Sequence, residues 1–169
     1  MIKINKIIGR QIIDSRGNPT CEADVILNNG IIGRGAVPSG ASTGRLEALE
    51  LRDNEAENFL GKSVNKAVFN INNEISNSIG KNQTYNQESF DRHLIELDGT
   101  ANKERLGANA ILAASIAFSK ACALNDKIPL YQSLTDETSY LLPIPMMNII
   151  NGGAHANNGL RIQEFMIRP

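Results

Sequence analysis

Apolar and polar residues alternate over the first 36 positions in a pattern that predicts an antiparallel meander of three strands. Isoleucines crowd positions 2–13 and, being β-branched, favour an opening strand. Residues 14–19 are turn formers, and residues 21–27 alternate as a strand with one buried face does. Asn29 and Gly30 then predict a type I′ hairpin turn, with positive φ at both residues, leading into a third strand at 31–36.

After residue 37 the apolar spacing changes from two to three and four, which predicts helices. Apolar residues recur at helical spacing from Val64 to Ile79, with Gly80 closing the helix, and again from Phe90 to Leu97. Residues 108–124 are nearly all small or apolar and predict a buried central helix, and a short helix is expected at 129–134. Before these helices, 38–44 reads as a mobile loop and 46–54 as irregular.

The last 30 residues have a different pattern, with two continuous apolar runs at 141–150 and 162–167. Such runs fit strands covered on both faces. Two strands of this kind cannot cover themselves with the residues that remain, so they resemble the opening of a larger sheet or barrel. We therefore predict an α+β domain over residues 1–138 and the start of an incomplete barrel domain over 139–169.

Composition narrows the class of protein without identifying a function. The chain is 41% hydrophobic and 21% charged, with a net charge of -1, and no run gathers Lys and Arg, so no nucleic-acid partner is predicted. The apolar stretch at 108–124 is interrupted by polar residues, so no membrane span is predicted. No signal peptide is evident, and Cys21 and Cys122 are expected to be reduced thiols in a cytoplasmic protein.

Three segments carry groups that could act on a substrate. Residues 39–44 form a glycine-flanked loop in which Ser42 could offer oxygen to a hard cation, although a plain turn is the simpler interpretation. His155 follows two glycines after the first apolar run, and a lone histidine is more often structural. Gln163 and Glu164 interrupt the second run, where an unpaired buried carboxylate would cost several kcal/mol.

Eight motifs in the chain, taken together and in order, resemble the enolase family. They are Asp14-Ser-Arg-Gly-Asn-Pro-Thr20, Pro38-Ser-Gly-Ala-Ser-Thr-Gly44, Glu47-Ala-Leu-Glu-Leu-Arg-Asp53, Leu97-Asp-Gly-Thr-Ala-Asn-Lys103, Leu106-Gly-Ala-Asn-Ala-Ile-Leu112, Pro129-Leu-Tyr131, Asn151-Gly-Gly-Ala-His-Ala156 and Gln163-Glu-Phe-Met-Ile167. The resemblance implies a three-stranded meander with a helical bundle, followed by the first strands of a truncated TIM-like β/α barrel. It also implies reversible dehydration of 2-phosphoglycerate to phosphoenolpyruvate with two Mg²⁺ ions, which stabilise an ene-diolate.

The same resemblance assigns roles to individual residues. Ser42 would ligate the second Mg²⁺, and Ala41 on the same loop would contact the substrate. His155 would lie near the substrate phosphate, Glu164 on the side of the leaving hydroxyl, and Gln163 would help to hold the substrate. A phosphorylated small molecule is thus the expected partner.

Two further implications concern assembly and place. Arg10 and Glu22 stand where enolases make contacts between subunits, so a homodimer or larger oligomer of the full-length parent is expected. A cytoplasmic protein is expected, and the family also allows a second location at the cell surface or outside the cell.

The chain departs from the family pattern at one residue and in length. Arg161 replaces an aspartate or small residue, and it could alter the pocket rim or simply point outward. A complete barrel takes about 250 residues, and the lysine base, the proton-donating glutamate and three metal carboxylates would lie beyond position 169. We therefore expect these 169 residues to be inactive alone. The alternative is a non-catalytic truncated enolase that acts as an interaction or surface-binding module.

Overall fold

The computed structural model describes residues 1–39, 44–80 and 82–169, and these residues form two compact units. The first unit contains Met1–Ser39 and Leu46–Thr135, and the second contains Asp136–Pro169 together with Gly44 and Arg45.

A four-stranded antiparallel sheet forms one layer of the first unit. Its strands are β1 (Ile2–Ile13), β2 (Pro19–Leu27), β3 (Ile32–Ala36) and β4 (Thr84–Tyr85), in the order β3-β2-β1-β4. The predicted three-stranded meander and the α+β class are thereby confirmed. β4 was not predicted, because a strand of two residues that pairs only with the start of β1 is too short to show periodicity.

The turn between β2 and β3 differs from the predicted type I′ turn. Gly30 has a φ of 85°, whereas Asn29 is not among the residues with positive φ. The amide of Gly30 donates to the carbonyl of Leu27 (2.9 Å), and the amide of Leu27 donates to the carbonyl of Ile31 (2.8 Å). The loop therefore has three residues and needs only one left-handed position, which glycine fills without steric cost.

Helices form the second layer of the first unit, close to where the apolar spacing predicts them. Their bounds are α1 (Asn65–Asn70), a π-helical turn (Ile71–Ile75), α2 (Ser76–Ser78), α3 (Gln87–Asp98), α4 (Ala108–Asp126) and α5 (Leu130–Ser133), with a 3₁₀ turn at Phe59–Gly61. Gly99 ends α3 in the left-handed conformation (φ 72°), which is a common way to close a helix.

The central helix α4 lies directly against β3. A Cβ atom added to Gly33 would lie 2.2 Å from the carbonyl oxygen of Ala117, and one added to Gly35 would lie 2.6 Å from the amide nitrogen of the same residue. The two glycines therefore allow strand and helix backbones to approach more closely than any side chain would permit. Among the described residues α4 is the one helix long and apolar enough to cross a membrane, but its buried face belongs to the core of this unit.

The free edge of β1 is covered by the helical segment that includes the π turn. Asn72 brackets Gly9, accepting from its amide (2.9 Å) and donating to its carbonyl (3.0 Å). The amide of Ile7 donates to Ser76 Oγ (3.4 Å). Because an uncovered strand edge invites pairing with other chains, these side chains protect β1 beyond the two residues that β4 covers.

The second unit contains a two-stranded antiparallel sheet, β5 (Met147–Asn151) and β6 (Glu164–Ile167). Both strands are shorter than the apolar runs at 141–150 and 162–167. Every residue of β5 and β6 is exposed, so the described residues do not cover these strands, and their burial within a larger barrel stays a prediction. The described residues of this unit include no α-helix that could cover either face.

Candidate functional site

The antiparallel pairing of β5 and β6 brings the candidate residues of the second unit together. Asn151, the last residue of β5, pairs with Glu164, the first residue of β6. The connection between them has only 12 residues, with a 3₁₀ turn at Gly153–His155 and no α-helix, whereas a parallel pair needs a longer crossover, usually helical. Residues next to the end of β5 and the start of β6 are therefore neighbours in space.

The connection is held against the start of β6 by backbone hydrogen bonds. The amide of Gly152 donates to the carbonyl of Gln163 (2.9 Å), and the amide of Gly153 donates to the carbonyl of Leu160 (2.9 Å). A Cβ atom on Gly152 would lie 2.4 Å from the carbonyl oxygen of Ile162, and Gly153 has a φ of 57°. Both glycines are thus required by the geometry, and they place His155 beside the start of β6.

His155 lies between Gln163 and Glu164. Its Nε2 atom is 2.7 Å from the side-chain nitrogen of Gln163, which is a hydrogen bond. Its Nδ1 atom is 3.6 Å from Glu164 Oε1, too long for a hydrogen bond but within the range of an ion pair if the ring is protonated. The sequence singled out all three residues, and the structure brings them into one cluster.

The environment of Glu164 differs from the expected one. The apolar run around Glu164 predicts a buried carboxylate that is costly without a partner, but the side chain of Glu164 is 36% exposed and that of His155 is 25% exposed. The premise of burial is therefore wrong for this chain. The interest of Glu164 rests instead on its contact with the imidazole.

Asparagine side chains that the sequence analysis did not single out also shape this loop. The amide nitrogen of Asn158 donates to the carbonyl of Asn151 (2.7 Å), and its oxygen accepts from the amide of Leu160 (3.1 Å). The amide nitrogen of Asn148 donates to Asn151 Oδ1 (2.5 Å). The turn-forming run Asn-Asn-Gly at 157–159 was the available signal for this structure.

The loop that carries Ala41 and Ser42 lies outside the described residues. Its described neighbour Ser39 is anchored, because Arg52 donates to Ser39 Oγ (2.9 Å) and to Glu50 Oε1 (2.6 Å). Arg161 is exposed. Within the described ranges 1–39, 44–80 and 82–169, no group of three or more His, Cys, Asp and Glu side chains is arranged to hold a metal ion.

Arg10 and Glu22, predicted at a subunit contact, belong to an ion-pair network on the sheet of the first unit. Arg10 contacts Glu22 Oε1 (2.7 Å) and Asp24 Oδ2 (2.5 Å), and Arg34 contacts Asp24 Oδ1 (2.7 Å). Hydrogen bonds to Asp24 and Glu22 raise the pKa of the Arg10 guanidinium above its ordinary value. The residues thus have partners within the chain, and their predicted role between subunits stays a prediction.

A cavity of about 560 Å³ also opens on the first unit. Its lining includes Leu51, Lys66, Phe69 and Arg105, and none of the residues singled out by the sequence. Arg105 is held by Glu74 and by the carbonyls of Leu97 and Asp98. Its guanidinium is therefore committed to the fold rather than presented to a ligand.

Comparison with known proteins gives two family matches and close relatives. Residues 4–134 match the family model described as "Enolase, N-terminal domain", and residues 139–169 match "Enolase, C-terminal TIM barrel domain". The chain is 57% identical over 166 residues to proteins named "Enolase" from Legionella pneumophila strains Corby and Lens. Each alignment covers 98% of this chain and 39% of the relative, so the chain spans about two fifths of the length of these relatives.

Proposed function

The chain belongs to the enolase family, and from this premise we propose that it supplies part of the active site of a glycolytic enolase. That enzyme is a magnesium-dependent lyase, and it converts 2-phosphoglycerate reversibly to phosphoenolpyruvate and water. The observation that carries the proposal is the cluster of His155, Gln163 and Glu164 at the junction of β5 and β6. The 57% identity across nearly the whole chain supports it.

The chemistry of this cluster fits the proposed roles. The carboxylate of Glu164 can accept a hydrogen bond from the hydroxyl that leaves the substrate, because its side chain is partly exposed. The imidazole of His155 can carry a positive charge, which suits a position beside a phosphate. Gln163 offers an amide that can donate and accept, so it can hold both the substrate and its neighbours.

The magnesium part of the proposal rests on residues outside the described set. Ser42 would contribute one ligand and Ala41 a substrate contact, within the segment 38–44 that the sequence predicts to be a loop. The described residues hold no group of three or more His, Cys, Asp and Glu side chains able to bind a metal, and the family resemblance places the remaining ligands outside these 169 residues. Glu164 is the last acidic residue of the sequence, which is why we propose that this chain alone is inactive.

A chimera tests the proposal directly. In the Legionella pneumophila enolase, the segment matched by this chain is replaced by residues 1–169, and formation of phosphoenolpyruvate from 2-phosphoglycerate is followed with and without Mg²⁺. We expect magnesium-dependent turnover by the chimera and none by the 169-residue chain. Glu164→Gln in the chimera should lower kcat by about 100-fold or more, whereas Asp136→Asn, at an exposed position, should not.

Two outcomes would overturn the proposal. One is a well-folded chimera with no turnover, and the other is full activity after Glu164→Gln. Turnover by the 169-residue chain alone would refute only the proposed inactivity. Each result is read beside circular dichroism of the same sample, so that loss of folding is not mistaken for loss of function.

A second candidate function is a non-catalytic interaction module. The exposed apolar side chains of the second unit favour it, since Leu141 and Leu142 are 97% and 95% exposed. Large exposed apolar surface is typical of sites that bind another protein. An inactive but folded chimera would favour this reading over the enzyme.

Assembly and location complete the proposal. The proposed enzyme works in the cytoplasm as a homodimer or larger oligomer, with Arg10 and Glu22 near the contact between subunits. Sedimentation of the chimera with and without Arg10→Gln tests the contact. An unchanged oligomer would remove Arg10 from it.

A further inference from the structure

The chain has two histidines, and the structure gives them different hydrogen-bond partners. A neutral imidazole carries its proton on either Nδ1 or Nε2, and the partner of each nitrogen determines which one. The hydrogen-bond partners of His93 and His155 can therefore be used to assign the tautomer of each ring.

The partner of His155 Nε2 is a donor. The side-chain nitrogen of Gln163 lies 2.7 Å away, and an amide nitrogen can only donate. His155 Nε2 must then accept, so the proton of the neutral ring is on Nδ1. The carboxylate oxygen of Glu164, 3.6 Å from Nδ1, favours a proton on the same side.

Gln163 is well placed to impose this arrangement because its backbone is fixed. Its carbonyl accepts from the amide of Gly152 (2.9 Å). Gly153 is its neighbour, since a Cβ added there would be in ordinary van der Waals contact with the Cα of Gln163, at 3.5 Å. The amide side chain thus starts from a backbone that the loop itself anchors.

The partner of His93 Nε2 is an acceptor. Ser78 Oγ lies 2.8 Å from it and also donates its single proton to the carbonyl of Ile75 (2.8 Å). The hydroxyl can then only accept from His93, so the proton of this ring is on Nε2. The ring also packs against Tyr85, with centroids 5.6 Å apart, which holds its orientation.

We propose that Gln163 is a positioning residue that holds neutral His155 as the Nδ1–H tautomer, opposite to the tautomer of His93. The proposal rests on the proposed function for its meaning, since His155 and Glu164 would face different parts of one substrate. Gln163 then orients the imidazole toward Glu164 before substrate binds. Such preorganisation removes a rearrangement from the reaction.

The tautomers are measured by two-bond ¹H–¹⁵N correlation spectra of the 169-residue chain labelled with ¹⁵N-histidine. The spectra are recorded at about pH 9, well above the ordinary histidine pKa of about 6.5. We expect a pyrrole-like Nδ1 and a pyridine-like Nε2 for His155, and the reverse for His93. His93→Phe assigns the two sets of signals.

Two variants test the part played by Gln163. Gln163→Met keeps the length of the side chain but removes the donor, and it should turn His155 into a mixture of tautomers. Gln163→Glu places an acceptor opposite Nε2 and should move the proton there. Gln132→Met, at an exposed position in α5, is the matched control and should change neither ring.

The proposal is overturned if wild-type His155 is a mixture or has its proton on Nε2, or if both Gln163 variants leave its tautomer unchanged. This measurement does not depend on enzymatic activity. An inactive chimera together with the expected tautomers would refute the proposed function and leave the assignment of Gln163 intact. An active chimera in which His155 is a mixture of tautomers would refute the assignment of Gln163 and leave the proposed function intact.

Discussion

Burial raises the pKa of the Cys21 thiol to about 12 and that of the Cys122 thiol to about 11. Since the thiolate is the reactive form, both cysteines should be inert in the folded chain. We expect almost no labelling by a thiol reagent at pH 8 under native conditions and two equivalents in guanidinium. Cys122→Ser isolates the Cys21 signal, and rapid native labelling of that variant would contradict the buried position of Cys21 in β2.

Asp24 makes the stability of the first unit depend on pH. Its side chain is 8% exposed. Hydrogen bonds from Arg34, and also from Arg10, hold the pKa of this carboxyl well below its ordinary value, although burial acts the other way. Because the folded pKa is the lower one, the ionised group stabilises the fold above about pH 4, and that contribution is lost as pH falls toward the folded pKa.

Asp24→Asn should therefore lower the free energy of unfolding by about 2 kcal/mol at pH 7, less than for a fully buried pair. The expected loss is smaller than for a fully buried pair because the side chain of the partner Arg34 is 60% exposed. Urea unfolding at pH 7 and about pH 3 measures the difference, which should shrink at the lower pH. Asp136→Asn is the control, and an equal loss at both pH values would show that the carboxylate charge does not matter.

For individual residues, the sequence identified the candidates but not the contacts that they make. Ile162, Gln163 and Glu164 are adjacent in the chain, but only the antiparallel register brings Glu164 opposite Asn151 and within reach of His155. In the sequence, Asn109 is simply one of the polar residues that interrupt the apolar stretch at 108–124. It brackets Leu51, accepting from its amide and donating to its carbonyl, both at 3.1 Å.

Packing between β3 and α4 determines how the helical layer sits on the sheet of the first unit. Gly33→Ala would place a methyl group 2.2 Å from a backbone oxygen of Ala117 and 2.3 Å from the backbone nitrogen of Ala121. Neither atom can move without shifting the helix. We expect a loss of about 3 kcal/mol in the free energy of unfolding, at the upper end of the usual cost of overpacking.

Gly30→Ala is the matched control in the same hairpin. Gly30 has a φ of 85° and no heavy atom within 4 Å of an added Cβ, so this variant should show backbone strain alone, about 1 kcal/mol. Urea unfolding of both variants separates the two effects. Equal losses would mean that β3 and α4 do not pack as tightly as described.

Elements with long, regular apolar spacing were predicted best. The helix α4 begins at its predicted residue and ends two residues later than predicted, whereas α3 begins three residues earlier and ends one residue later. Both are found because apolar residues mark them locally. β5 and β6 are shorter than the apolar runs, since composition does not say how far a strand finds a partner. The prediction of a type I′ turn at Asn29 and Gly30 was wrong because these two residues also suit a three-residue loop with one left-handed position.

Across the whole molecule, the buried hydrophobic core belongs to the first unit. Its cluster runs from Ile4 to Ala121, whereas Leu141 and Leu142 are almost fully exposed. A variant ending at residue 138 should therefore fold, with a Tm within about 4 °C of the full chain. It should also scatter less light at high concentration, because exposed apolar strands promote association.

Leu141→Ser combined with Leu142→Ser in the full chain is the companion to that truncation. It should reduce light scattering in part while leaving Tm unchanged. Circular dichroism of the truncated variant and of the full chain shows whether the first unit keeps its secondary structure. A truncated variant without secondary structure would show that the first unit depends on residues 139–169.

The sequence by itself determined the α+β class, the strand–helix order and the membership of the enolase family, because local apolar spacing and motif identity are written along the chain. Tertiary structure alone decided which polar groups meet, since contacts such as His155 with Gln163 and Asn72 with Gly9 depend on register and on close backbone approach. It also decided that β5 and β6 are exposed, because burial depends on what lies over a strand and not on the strand's own residues.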